Sequence, residues 1–298
     1  MEMERWMRQL HVEDLDVYQS METGIEDDYI ARFFERISSG NNRLFGLFEG
    51  EDLIATAGYT LFAGRYAMLG RLRASQAIRG KNIGTDVLTR VLELAKQDPA
   101  VDWIGANTEE YNGPAMRVLE KIQAYPILPQ HAAVAKDVSG LGEKGPEWQE
   151  VTDLEVKRSW LNETYIRTQQ PFPLQCYYPF PATESLFDEE SLQEWRFFEN
   201  ADRSRYMILK KDMKRYHYTQ VVYPWDDYFE QPGLWDTVAI AQTEHKEEVQ
   251  DDVTVWLDLP KTHAYKLPAD HPFDLSSIWV LHEAVNQLTR EATKKAAR

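Results

Sequence analysis

The chain has 298 residues, 43% of them hydrophobic, and a formal net charge of −16 at pH 7. That length points to about two domains, since a single core rarely grows past roughly 250–300 residues, and the acidic balance argues against a nucleic-acid surface, which needs a basic stripe. No apolar run is long enough to span a membrane, the start Met1-Glu2-Met3-Glu4-Arg5 lacks the apolar stretch of a signal peptide, and the single cysteine, Cys176, leaves no intramolecular disulfide and favours a reducing cytoplasm.

Residues 6–10 read as a short strand, 12–21 as a helix and 29–37 as a second helix. Two hairpins follow. Residues 44–48 turn through Gly50-Glu51-Asp52 into 53–61, and Phe62-Ala63-Gly64 turns that strand into 66–75. The run Arg79-Gly80-Lys81-Asn82-Ile83-Gly84 then opens directly into an amphipathic stretch, 85–97. Ile83, Val87, Val91 and Ala95 recur every four residues, with Leu88 and Leu92 widening the stripe. The first turn of a helix has unpaired N–H groups and the positive end of the macrodipole, so a basic glycine loop leading into it suits an anion such as a pyrophosphate. The same pattern also fits an ordinary helix entry. Its spacing is neither G-x-x-x-x-G-K-[ST] nor G-x-G-x-x-G with a following acidic residue.

Residues 101–108 read as the next strand. Asn112 as N-cap and Pro114 in the first turn open a helix whose apolar face is Ala115, Val118, Leu119 and Ile122. Residues 125–128 and 131–135 read as a closing pair of strands. The glycine-rich run Ser139-Gly140-Leu141-Gly142-Glu143-Lys144-Gly145-Pro146 reads as a linker. Beyond it come a strand at 148–151, a helix opened by the capping box Thr152-x-x-Glu155, and a proline-rich irregular stretch. Then follow a helix at 191–200, strands at 205–209, 216–223, 237–242 and 253–259, and a long helix at 276–295. The fold class expected is α/β (α+β), a mixed twisted sheet flanked by helices.

The segment from Leu72 to Gly84 resembles the acetyl-CoA motif of the GNAT superfamily of N-acetyltransferases, Arg/Gln-x-x-Gly-x-Gly/Ala after a strand. Arg79 and Gly84 match, and Asn82 stands where the family usually has its middle glycine. Asn tolerates the left-handed conformation better than most residues. Asn112-Gly113-Pro114-Ala115 with Leu119-Glu120-Lys121 resembles the second signature, an Asn-x-x-Ala helix after the fifth strand, and Arg8-Gln9-Leu10 through Glu13-Asp14-Leu15 resembles the first strand and helix. The resemblance covers about residues 1–138. It implies a GNAT-like acetyl-CoA-binding domain at 1–138, a linker at 139–147 and, because the element order repeats, a second, degenerate GNAT-like domain at 148–298 without the cofactor motif.

It further implies acetyl-CoA as co-substrate, with Leu72, Ala74, Arg79, Gly80, Lys81, Asn82, Ile83, Gly84, Thr85 and Asn112 as the cofactor-binding set. The acceptor would be a small-molecule or peptide amine attacking directly, and the net negative charge attracts cationic amines. Many relatives dimerise, so a homodimer is compatible with the resemblance, which does not fix the oligomeric state. The family's frequent tyrosine on the helix after the Asn is replaced here by Leu119, which cannot protonate a thiolate. Tyr111 and Tyr125 are the nearby substitutes as acid, and Glu109 and Glu110 at the end of the fifth strand the candidate bases; Glu109 and Tyr111 are the catalytic pair expected. Each also reads as an ordinary loop residue. Arg71 and Arg73 share one face of the strand before the loop and need carboxylate partners or a ligand there. His263, His271 and His282 match no metal spacing with Asp270 and Asp274, so no metal is expected. The competing reading is a non-catalytic protein that binds acyl-CoA as a sensor or partner-binding module, and Leu119 is the feature that favours it.

Overall fold

The computed structural model describes residues 4–78 and 81–288. In chain order its elements begin with β1 (Arg5–Leu10), α1 (Leu15–Gln19), α2 (Tyr29–Arg32), α3 (Phe34–Ile37), β2 (Asn42–Glu49), β3 (Asp52–Phe62) and β4 (Tyr66–Ala74). Next are α4 (Ile83–Gln97), β5 (Trp103–Glu109), α5 (Gly113–Lys121), β6 (Tyr125–Ala135), β7 (Gln149–Val151) and α6 (Leu154–Leu161). The chain continues through β8 (Pro171–Gln175), β9 (Tyr178–Pro181), α7 (Glu189–Glu194), β10 (Arg196–Glu199), β11 (Tyr206–Met213) and β12 (His217–Val222). It closes with α8 (Leu234–Val249), β13 (Val253–Pro260) and β14 (Ile278–Asn286). No helix among the described residues is long and apolar enough to cross a membrane.

Two compact units result: the described residues up to 127 together with those from 280 onward, and residues 128–279. In the first unit the strand order is β1-β2-β3-β4-β5-β14, antiparallel from β1 to β4, with β5 parallel to β4. One face packs against α4 and α5. Val87, Leu88, Val91, Leu92 and Ala95 of α4, with Leu119 and Ile122, meet Ala55, Ala57, Tyr59, Ala67, Leu69, Ile104 and Ala106 of the strands. This is the amphipathic stripe read from the sequence; each valine, leucine or isoleucine in it, fully buried, contributes roughly 1.5–3 kcal/mol. The opposite face carries α1, α2 and α3 over Leu10, Leu44, Phe48 and Leu53.

The expected division at 139–147 differs from the one observed. β6 forms a single strand, not a pair, and its residues 130–135 pair antiparallel with β13 inside the second unit. The first unit is closed instead by β14, beside β5. The run read as a linker is a packed loop of the second unit: the Glu143 amide donates to Phe229 O (3.1 Å) and the Gly145 amide to Asp236 (3.1 Å). Its glycines serve close approach, since a Cβ on Gly145 would lie 2.7 Å from the Gly233 amide nitrogen.

The second unit has the order β6-β13-β12-β11-β10-β7. Residues 237–242, expected as a strand, lie inside α8, whose buried Leu234, Trp235, Val238 and Ala241 face the sheet. Residues 278–286, expected as helix, form β14, and the rest of that expected helix falls partly outside the described residues. The β-branched and aromatic content of Ile278-Trp279-Val280 favours a strand. β12 and β13 are parallel and joined by α8, as β4 and β5 are joined by α4.

We expect a chain truncated after Trp279 to lose amide protection across β5 while β11, β12 and β13 keep theirs. Hydrogen exchange read by mass spectrometry checks both, and intact protection in β5 would show that β14 is dispensable to the first unit.

Candidate active site

The site is built around an irregularity in β4. Gly58 pairs with Gly70 and Thr56 with Arg73, so two residues of β4, Arg71 and Leu72, stand opposite one residue of β3, Ala57. Arg71 sits at φ +57°, a left-handed conformation that costs a side-chain-bearing residue about 1–2 kcal/mol. Its surroundings hold it there. The guanidinium donates to Asn42 Oδ1 (2.6 Å) and to the Thr60 hydroxyl, and the Thr56 hydroxyl donates to its carbonyl (3.3 Å).

The bulge has a consequence one strand away. β4 pairs with β5 from Tyr66 opposite Trp103 to Leu69 opposite Ala106. Beyond that point β4 runs on to Ala74 and β5 to Glu109, so the strands part. The opening is flanked by residues 70–74 on one side and 107–109 on the other. Leu72 and Ala74 turn their side chains into the α4 core, so the strand edge between them presents its backbone groups.

α4 starts at this edge. A Cβ on Gly84 would lie 3.6 Å from Leu72 Cδ2 and 3.7 Å from Val118 Cγ2, which puts strand edge, helix start and α5 together. Asn82, the N-cap, is left-handed at φ +59°, and its side-chain oxygen accepts from Lys121 Nζ (2.6 Å) instead of capping the helix. Lys81 is exposed and Thr85 half-buried, while the Ile83 side chain belongs to the core, which leaves only its backbone at the surface of the helix start. The N–H groups of Ile83, Gly84 and Thr85 belong to the first turn and have no partners within the helix. Arg79 and Gly80 lie outside the described residues. Asn112 caps α5, accepting from the Ala115 amide (3.2 Å).

The expected catalytic residues lie at the other flank. Glu109 ends β5 and its carbonyl accepts from the Asn112 amide (2.9 Å). Tyr111, in the turn between them, is 74% exposed. Leu119 is core at 4% exposure. Among the described residues no group of His, Cys, Asp or Glu is placed to hold a metal ion.

Several residues here were not singled out by sequence reasoning. Asp28 caps α2 through the Ile30 amide (3.1 Å) and accepts from Tyr18 Oη and from Arg73 Nη2 (3.1 Å). Arg73 also lies over the Tyr29 ring (5.2 Å) and donates to Leu72 O (2.9 Å), so α2 is tied to the parted end of β4. Burial raises the Asp28 pKa, but the hydrogen bonds from Tyr18 and Arg73 outweigh it and hold the carboxyl below its ordinary value. The Gln76 amide donates to Glu22 O (2.9 Å), which fixes the loop before α2 beside the strand end. On β5, Trp103 Nε1 donates to Glu283 Oε2 (2.8 Å) of β14. The one sequence signal for the bulge is Gly58 and Gly70 facing each other on neighbouring strands. Nothing in a sequence marks a pairing made 180 residues apart.

The profile of the Acetyltransferase (GNAT) family matches residues 7–125. Among solved structures, the GCN5-related N-acetyltransferase from Sphaerobacter thermophilus is 13% identical, with a TM-score of 0.60 over 95% of this chain and 97% of that one. A candidate acetyltransferase from Thermoplasma acidophilum is 14% identical, with a TM-score of 0.54 over 94% and 99% of the two chains. One from Pyrococcus horikoshii is 11% identical, with a TM-score of 0.52 over 95% and 89%. At these identities the likeness is one of fold, and it runs through both units. No curated protein matches the sequence.

Asp28→Asn should destabilise the protein at neutral pH by about 1–3 kcal/mol, because Arg73 loses its carboxylate. The folded pKa of Asp28 is lowered, so its contribution is present above the unfolded value of about 4 and is lost as pH falls through the folded value. The gap between wild type and variant in urea unfolding should therefore narrow progressively as pH falls below the unfolded value of about 4; a gap that stays constant on acidification would assign the loss to packing.

Proposed function

We propose, from the premise that residues 7–125 are a GNAT-family acetyltransferase domain, that this acyltransferase moves the acetyl group of acetyl-CoA directly onto an amine. One observation carries the reading: the parted edge of β4 at Leu72 and Ala74 leads straight to the first turn of α4. An extended pantetheine arm needs an unpaired strand edge, and a pyrophosphate needs helix N–H groups with positive charge nearby. The edge and the helix start are neighbours in the first unit, where Gly84 adjoins Leu72, which supports this reading of the site residues. Leu72 and Ala74 offer the edge. The backbone of residues 81–85 cradles the pyrophosphate, with Lys81 adding charge and Arg79 and Gly80 completing the loop in sequence. Asn112 holds the start of α5 beside it.

The transfer joins the amine nitrogen to the acyl carbon and breaks the carbon–sulfur bond. A backbone N–H in the parted part of β4 polarises the carbonyl oxygen. Glu109, directly or through a water, takes the proton that the amine must lose, and Tyr111 returns one to the departing thiolate. Tyr111's exposure supports that role, since a side chain free of packing can swing to the opening. The acceptor is a small-molecule or peptide amine.

The second unit is a GNAT-like copy that holds no acyl-CoA. Its β11–β12 ladder pairs without a register shift, and the N-terminus of α8 is covered by residues 143–146. Leu119, buried where a helix tyrosine would stand, supports the rival reading of a non-catalytic acyl-CoA sensor.

Calorimetry with acetyl-CoA on wild type, Gly84→Ala and Gly84→Glu separates these readings when followed by thiol release across an amine panel. A Cβ at position 84 makes only ordinary contacts, so the Ala variant should fold and bind, whereas the Glu variant carries a carboxylate into the pyrophosphate cradle and should lose binding. Thiol release with some amine supports the transferase. Binding with no release from any amine favours the sensor, and no binding by wild type overturns both.

A further inference from the structure

Each strand beside the closed end of the opening carries a glycine on the face shared by Tyr66, Met68 and Trp103: Gly70 on β4 and Gly105 on β5. The two glycines differ. A Cβ on Gly70 would meet nothing within 4 Å. A Cβ on Gly105 would lie 2.1 Å from Cη2 of Trp103 and 2.3 Å from the carbonyl oxygen of His282. Gly105 is therefore a glycine so that the Trp103 indole can lie across it.

That indole is fixed in place. It is 0% exposed, its centroid is 6.3 Å from that of Tyr66, and its Nε1 donates to Glu283 Oε2 at 2.8 Å. Met68 beside it is buried as well. On the opposite face, Leu69 and Ala106 are closed into the α4 core. Going from Gly70 toward the point where the strands meet, the same face continues into buried Met68 and, on β5, into the buried indole that lies across Gly105.

We infer that Trp103 sets the length of the acyl group: the space over Gly70 takes acetyl and, at most, propionyl, and the indole locked by Glu283 stops anything longer. The inference rests on reading the opening as the acyl-CoA site. It goes beyond that reading by naming the donor class and the residue that selects it. Glu283 acts through Trp103 and is a positioning residue.

The test needs no acceptor. Calorimetry with CoA, acetyl-CoA and hexanoyl-CoA compares wild type, Trp103→Leu and Gly70→Val. Wild type should bind hexanoyl-CoA at least about tenfold more weakly than acetyl-CoA. Trp103→Leu should bring the two to within about threefold of each other, with affinity for CoA itself unchanged. Gly70→Val, whose Cβ meets nothing within 4 Å, should weaken acetyl-CoA relative to CoA, and it keeps the test decisive if the Leu variant fails to fold. Equal binding of acetyl- and hexanoyl-CoA by wild type overturns the inference while leaving the acyltransferase reading intact. So does a Gly70→Val variant that binds CoA and acetyl-CoA in the wild-type ratio. Failure of wild type to bind CoA in any form overturns that reading and this inference with it.

Discussion

The opening in the sheet of the first unit depends on the extra residue in β4. Without it the ladder from Tyr66 opposite Trp103 would continue past Leu69, and the backbone of β4 would be satisfied by β5. The protein meets the cost of a left-handed arginine with the arginine's own side chain, which reaches Asn42 and Thr60 on the two strands beyond. A glycine would adopt the conformation with less strain but would lose those bonds. The bulge is thereby pinned to one register, and so is the place where the strands part.

A parted pair of strands is a weakness in a sheet, because β5 then relies on its other neighbour. That neighbour is β14, the last described strand of the chain, whose Glu283 holds Trp103 and whose residue Gln287, just beyond it, donates its amide to Asp102 O (2.8 Å). The strand that follows α5 in sequence pairs with β13 instead. The first unit is therefore not finished until β14, residues 278–286, has been made. The result is a non-local pairing, which forms late and slowly compared with hairpins such as β2–β3.

How much of this can be read in the sequence follows from how local each feature is. The α4 stripe, the two hairpins and the Asn112 cap are encoded within a few residues, and each lies where periodicity and turn chemistry put it. The left-handed state of Asn82 is legible for the same reason. The errors are non-local or arise from competing signals. Residues 237–242 alternate well enough for a strand, but the period of Leu234, Trp235, Val238 and Ala241 is helical and prevails once the sheet is there to bury it. The run 139–146 has a linker's composition because its glycines let it pack closely on Gly233 and Trp235. The carboxylate on Arg73 comes from Asp28, 45 residues away, and no spacing rule reaches that far.

The two parallel strand–helix–strand units in this chain show what separates a ligand site from a piece of scaffold. α4 and α8 both begin at a left-handed residue, Asn82 and Gly233, and both have an acid in the first turn. In α4 that acid, Asp86, is drawn aside by Arg90 (2.9 Å), leaving the positive end of the dipole to the loop. In α8 the corresponding Asp236 accepts from the Gly145 amide and from Lys144, and the Gly233 amide donates to Glu143 O (3.0 Å). A Cβ on Gly233 would sit 2.0 Å from the Pro146 carbonyl oxygen, so the chain itself fills the volume that a phosphate would need. Under the proposed function the helix dipole is directed at a ligand in the first unit; in the second it is directed at the protein's own backbone. The element order of the second unit is no evidence of a second acyl-CoA site; the atoms at the start of the helix decide that question.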